Sequence, residues 1–75
     1  MRELPAIRPR QLIRALERAG FFLHHVRGSH HYLRHAEKPG LLITVPVHNR
    51  DLKRGTLRAI LRQAGISPDD LHDLL

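Results

Sequence analysis

Three short β-type runs, separated by breaks with little room for other structure, set the strongest limit on this fold. FFLHHVR (21–27) precedes Gly28-Ser29; HHYLRH (30–35) follows; a second break, EKPG (37–40), leads into LLITVPVH (41–48). Aromatic and β-branched residues suit a pleated, half-buried surface. Two such runs joined by a Gly-Ser pair signal a hairpin. The third run is the most apolar and predicts the best buried strand. Pro46 has no N–H for a ladder, so that strand ends there or lies at an edge.

Helical patterns flank the three runs. Pro9 suits a first helical position, and Leu12, Ile13, Leu16 and Ala19 recur at helical spacing with Arg10, Arg14, Glu17 and Arg18 opposite, ending at Gly20. Residues 1–9, punctuated by Pro5 and Pro9, read as extended. After the polar turn NRDLKRG, a second amphipathic helix carries Leu57, Ile60, Leu61 and Ala64 and closes at Gly65. SPDDLHDLL offers Ser67 as an N-cap, Pro68 at the first helical position, and Asp69 and Asp70 at the positive end of the helix dipole. The expected fold is α+β: three antiparallel strands with helices on one face and a short C-terminal helix, in the element order of a double-stranded-RNA-binding domain.

Length and charge narrow the function classes. The 75 residues read as one domain, 1–75, and a domain this small buries only about 60% of its unfolded surface. Cysteine is absent, which excludes disulfides and thiolate metal sites. No apolar run approaches the roughly 18 residues of a membrane span, and the N-terminus lacks the apolar block of a signal peptide. The expected location is the cytoplasm. All 13 Lys and Arg fall in residues 1–62 against four acids, whereas residues 63–75 hold three acids and no base. A body this basic attracts phosphates or an acidic protein; the same charge also serves plain solubility.

The stretch RGSHHYLRH (27–35) concentrates the chemistry. Adjacent strand residues point to opposite faces, so His30 and His31 cannot chelate one ion together, and no metal site is expected. His30, Tyr32 and Arg34 share one face; His31, Leu33 and His35 share the other, with Leu33 offered to the core. A two-residue loop places Arg27 opposite His30 and His25 opposite Tyr32, but also puts Phe21 and Leu23 on that polar face. A longer loop or a bulge near Gly28 shifts the parity, so the register stays open. His30 follows Gly28 and Ser29, small residues past which a ligand backbone could come close. Its imidazole is suited to moving a proton in RNA cleavage by the 2′-hydroxyl, with nearby cations stabilising the phosphorane. Electrostatic phosphate binding by a surface histidine is the competing reading.

In order along the chain, LIRALERAGF (12–21), RGSHHYLRH (27–35), ITVPVH (43–48) and LKRGTLRAILRQAGIS (52–67) together resemble the HicA-type toxins of toxin–antitoxin pairs. The resemblance implies a double-stranded-RNA-binding-like fold, a ribosome-independent mRNA interferase that stops translation, and neutralisation by a HicB-type antitoxin; no cofactor is expected. It makes His30, directly after Gly-Ser, the catalytic residue. His24 and His25 depart from it, standing where an aliphatic residue and an Arg are expected; His25 is then a weaker cation or an additional proton carrier. His31 fits a family variant and counts as supporting.

The remaining candidates carry charge. Arg27 and Arg34 flank the histidines and hold phosphates; Lys53 and Arg54 precede the second helix, whose free N–H groups favour an anion. His48 either orients another group or merely ends a strand. Arg58, Arg62 and His72 read as solvated, and Tyr32 as packing or as a base-stacking ring. The competing function is a non-catalytic module that binds double-stranded RNA or an acidic protein.

Overall fold

The structure, a computed structural model, describes residues 3–75. Met1 and Arg2, part of the expected extended start, lie outside the described residues; Glu3 to Arg8 form neither helix nor strand. The elements are α1 (Pro9–Arg18), β1 (Phe21–Arg27), β2 (His30–His35), β3 (Lys38–Pro46), α2 (Arg54–Ala64) and α3 (Pro68–Leu74). The strands form one antiparallel sheet in the order β1-β2-β3. This is the α+β, double-stranded-RNA-binding-like layout.

Local chemistry accounts for the helix boundaries. Pro9 opens α1, and the Gln11 Oε1 accepts from the Arg8 N–H at 2.9 Å, which satisfies a donor at the helix start. α2 stops at Gly65, left-handed at φ 72°, with the Ile66 N–H donating to the Leu61 carbonyl at 2.9 Å. The Ser67 Oγ accepts from the Asp70 N–H at 3.1 Å and starts α3. The far end of α3 is held to α1 by Arg18 Nη1 donating to the Leu74 carbonyl at 2.7 Å.

The β1–β2 hairpin settles the register. The two-residue loop is real: Arg27 pairs with His30, Val26 with His31 and His25 with Tyr32. Gly28 has φ 59° and Ser29 is not left-handed, the pattern of a type II′ turn. The parity shift lies elsewhere than near Gly28. One extra residue, His24, bulges between Leu23 and His25, so that Leu23 pairs with Leu33 and Phe21 with His35. That insertion turns Phe21 and Leu23 to the core face while His25 and Arg27 keep the other.

A second correction concerns β3, which begins at Lys38, not after the EKPG break, so Ala36-Glu37 is the turn. Between the pairs Arg34–Leu42 and His35–Lys38 the ladder is irregular; Pro39, Gly40 and Leu41 bow out of it. β3 is an edge strand that ends on Pro46, as the missing N–H requires.

Both long helices lie over the core face, α1 against β1 and β3, α2 against β3, and α3 packs on α1. One continuous core joins Leu12, Ala15 and Leu16 of α1, Phe21, Leu33, Ile43 and Val45 of the sheet, Leu57, Ile60, Leu61 and Ala64 of α2, and Leu71 of α3. Leu4, Ile7 and Leu52 seal one edge, where the Leu52 N–H donates to the Ile7 carbonyl at 2.9 Å. Each large aliphatic side chain so buried contributes about 2 kcal/mol. Among the described residues no helix is long and apolar enough to cross a membrane.

Candidate nucleic-acid interface

With the helices on one face, the other face of the sheet is left open, and the register arranges it in three cross-strand rows. Arg27, His30 and Pro46 form the first, His25, Tyr32 and Thr44 the second, and Phe22, Arg34 and Leu42 the third.

His30 heads β2 directly after the Gly28-Ser29 turn. It is exposed, and its ring makes no hydrogen bond among the described residues. Its cross-strand neighbour Arg27 is exposed too, so a phosphate over the turn meets a guanidinium and an imidazole together. The turn is fastened to β3 by the Val47 N–H, which donates to the Ser29 carbonyl at 2.7 Å. A Cβ added to Gly28 would meet no atom of the described residues within 4 Å. The turn thus needs this glycine for its positive φ; within the protein it relieves no crowding.

The second row holds a ring stack. His25 and Tyr32 lie with centroids 4.3 Å apart and planes 7° from parallel. The bulged His24 meets His25 edge-on at 5.0 Å and 78°, and their Nδ1 atoms stand 2.7 Å apart, so one donates a proton to the other. His25 is a diagonal neighbour of His30, about 7–8 Å away between backbones.

Arg34 shares the open face but not the neighbourhood. It lies four residues along β2 from His30, about 13 Å, and its Nη1 donates to the Pro39 carbonyl at 3.1 Å, which holds it toward the β2–β3 turn. His31 points the other way. It is half-buried on the core face opposite Val26 and Val45, beside a depression of about 230 Å³ also lined by Arg10, Ile13, Arg14, Glu17 and Leu23. Among the described residues its buried Nδ1 has no hydrogen-bond partner.

Lys53 and Arg54 part company. Lys53 lines a cavity of about 350 Å³ with Pro46, His48, Arg50, Leu52 and Thr56. Because Pro46 is the β3 partner of His30, that cavity adjoins the first row. His48 stands between it and a second depression lined by Arg8, Pro9 and Arg10. Arg54 faces a separate groove of about 530 Å³ with Leu4, Arg58, Leu61 and Arg62 among its walls. Arg58 and Arg62 are exposed, as expected of a solvated helix face, and border that groove. His72, also expected to be solvated, is half-buried and donates from Nε2 to the Glu3 carbonyl at 2.8 Å.

The role of His35 escaped the sequence reading. The Glu37 N–H donates to its Nδ1 at 3.1 Å, so Nε2 carries the proton and donates to the Ala19 carbonyl at 3.1 Å. His35 thus ties the end of α1 to the β2–β3 turn. No group of three or more His, Asp or Glu among the described residues is arranged to hold a metal ion.

A search of curated proteins returned no match. A family model described as the HicA toxin of bacterial toxin–antitoxin systems matches residues 9–66, the span from the first residue of α1 past the Gly65 stop. That span covers more than half of the chain and contains the whole open face of the sheet. The chain belongs to the HicA toxin family, the toxin partner of a toxin–antitoxin system.

Proposed function

We propose that this toxin is an mRNA interferase, an endoribonuclease that cuts mRNA in the cytoplasm without a metal and is neutralised by a HicB-type antitoxin. Residues 1–75 act as one domain. The observation that carries the reading is the pairing of an exposed His30 with Arg27 over a tight turn on the uncovered sheet face.

The chemistry is attack by a ribose 2′-hydroxyl on the adjacent phosphorus. The O2′–P bond forms as a base takes the hydroxyl proton. The P–O5′ bond breaks as an acid gives a proton to the leaving oxygen. The products carry a 2′,3′-cyclic phosphate and a 5′-hydroxyl. His30 serves as one proton carrier, a role suited to an imidazole near neutral pH. Arg27 neutralises the charge that builds on the phosphorane. Lys53, reached from His30 past Pro46, binds a neighbouring phosphate. His25 and His48 are the supporting histidines nearest the site, and Gly28 and Ser29 set its shape. His31, on the core face, supports the strand from behind, Arg34 binds RNA away from the cut, and Arg54, in its separate groove, is a supporting charge off the path of the strand.

Incubating the purified toxin and its His30→Ala variant with a transcript tests this reading, each with and without EDTA. The expected result is fragments with cyclic phosphate ends from the wild type in both buffers, and none from a variant whose circular dichroism is unchanged. Equal cutting by the variant removes His30 from the chemistry. RNA retarded in a gel but never shortened supports the binding-module reading instead.

A further inference from the structure

Building on the ribonuclease reading, we infer that the substrate is unpaired RNA, held at the cut by stacking one base on Tyr32 with His25 as the backing ring. The pair sits on the face that no helix covers, so it seals no core. His25 is exposed and Tyr32 half-buried. Tyr32 is two residues from His30 on the same strand and face, about 7 Å along β2, a span that one extended nucleotide bridges.

The geometry leaves one side of the stack for a base. Two cross-strand partners whose rings lie nearly parallel at 4.3 Å turn their faces along the direction that joins the strands. One face of Tyr32 is therefore against His25. The other is turned toward Thr44, its partner on β3, whose side chain is too short to cover a ring. On the far side of the pair, His24 holds His25 edge-on and through the Nδ1 contact. The platform is closed by His24 at one end, and a base laid over Thr44 extends the stack at the other.

Charge brackets the ring row. Arg27 lies in the row before it and Arg34 in the row after. A phosphate on the His30 side of a stacked nucleotide thus meets Arg27, while Arg34, held on the Pro39 carbonyl, adds positive charge beyond the other side. A base within a duplex shows only its edges to a protein, because its faces are taken up by its neighbours. A ring platform flanked by cations therefore selects single strands.

The test uses the full-length His30→Ala chain, which removes cutting from the measurement. A labelled 12-nucleotide RNA is titrated as a single strand and as a duplex, at one salt concentration. Tyr32 is the sole tyrosine and tryptophan is absent, so tyrosine emission reports this ring alone. The expected results are quenching of that emission by the single strand and tighter binding of single strand than of duplex. Tyr32→Leu weakens single-strand binding by about tenfold, the loss of one base–aromatic stack, while Tyr32→Phe retains it. The salt dependence is unchanged, since no charge is removed. Unquenched emission, or duplex bound as tightly as single strand, overturns the proposal even if the Leu variant fails to fold. Stacking without any cutting by the wild type leaves the platform standing and removes the nuclease. Cutting by the wild type with no quenching does the reverse.

Discussion

Gly20 and His35 compete for the same corner of the fold: a methyl group on Gly20 would sit 2.5 Å from Nε2 of His35. The glycine also has φ 100°, a conformation that side chains resist. His35 occupies that space because its ring bridges Ala19 and Glu37 and meets Phe21 edge-on at 4.9 Å. The chain thus leaves α1 and enters β1 around an imidazole.

Gly20→Ala is expected to destabilise by about 2–3 kcal/mol from backbone strain together with displacement of the ring, lowering the melting temperature by about 10–20 °C for a domain of this size. His35→Ala alone costs about 1–2 kcal/mol for the lost hydrogen bonds. The double variant should be more stable than the sum of the two costs allows, because the clash disappears with the ring. Thermal melts of the four proteins measure the coupling. Strict additivity would show that His35 does not crowd Gly20. Gly28→Ala, strained in φ but with no neighbour, should cost only about 1–2 kcal/mol.

Much of this architecture was legible because its signals are local. Gly65, Ser67 and Pro68 state where α2 ends and α3 begins, and the period of two along 30–35 sorts His30, Tyr32 and Arg34 from His31, Leu33 and His35. The bulge at His24 is a compromise between strand pairing and the demand of α1 for apolar contacts, so no single neighbour announces it. Its trace is the spacing of Phe21, Leu23 and Val26, two and then three, which breaks the parity between 23 and 26. The divergence of Lys53 and Arg54 was written in the phase of α2, where Arg54, Arg58 and Arg62 recur every four residues beside the buried Leu57 and Leu61. The tie from His35 to Ala19 spans 16 residues and had no local sign.

Arg27 and Arg34 share a face but should differ in what they do. Arg27 opposes His30 directly, whereas Arg34 is tied to Pro39 at the other end of the strand. Arg27→Ala should lower the single-turnover cleavage rate about 100-fold, the scale of losing one charged donor at a developing oxyanion. Arg34→Ala should act mainly on RNA affinity and leave the rate at saturating RNA within a few-fold. Single-turnover rates over a range of enzyme concentration separate the two effects. Equal losses of rate would place both guanidiniums at the phosphorane and contradict this geometry.

Lys53 and Arg54 are neighbours in sequence that face different cavities. If RNA follows the first row past Pro46, Lys53→Ala should weaken binding to the His30→Ala chain and reduce the slope of log affinity against log salt by about 1. Arg54→Ala should leave that slope nearly unchanged, because its groove lies apart from the first row. Affinities at four or more salt concentrations decide the matter. Identical slope changes would mean that RNA wraps around the start of α2 instead of passing on one side.

Ser67→Ala tests how far α3 is a local structure. The Ser67 Oγ accepts from the Asp70 N–H, Leu71 is fully buried, and Arg18 grips the Leu74 carbonyl. Loss of the cap should cost about 1 kcal/mol. Leu71→Ala should cost about 2–5 kcal/mol, because it opens a cavity in the core where α3 packs on α1. In a domain with one thin core, the second variant should melt at much lower temperature and lose cooperativity, while the first shifts the midpoint by a few degrees. Both residues lie outside the span matched to the toxin family and away from His30. The cap variant should therefore cut RNA at the wild-type rate below its melting temperature; a loss of cutting there would make α3 part of the RNA-binding surface.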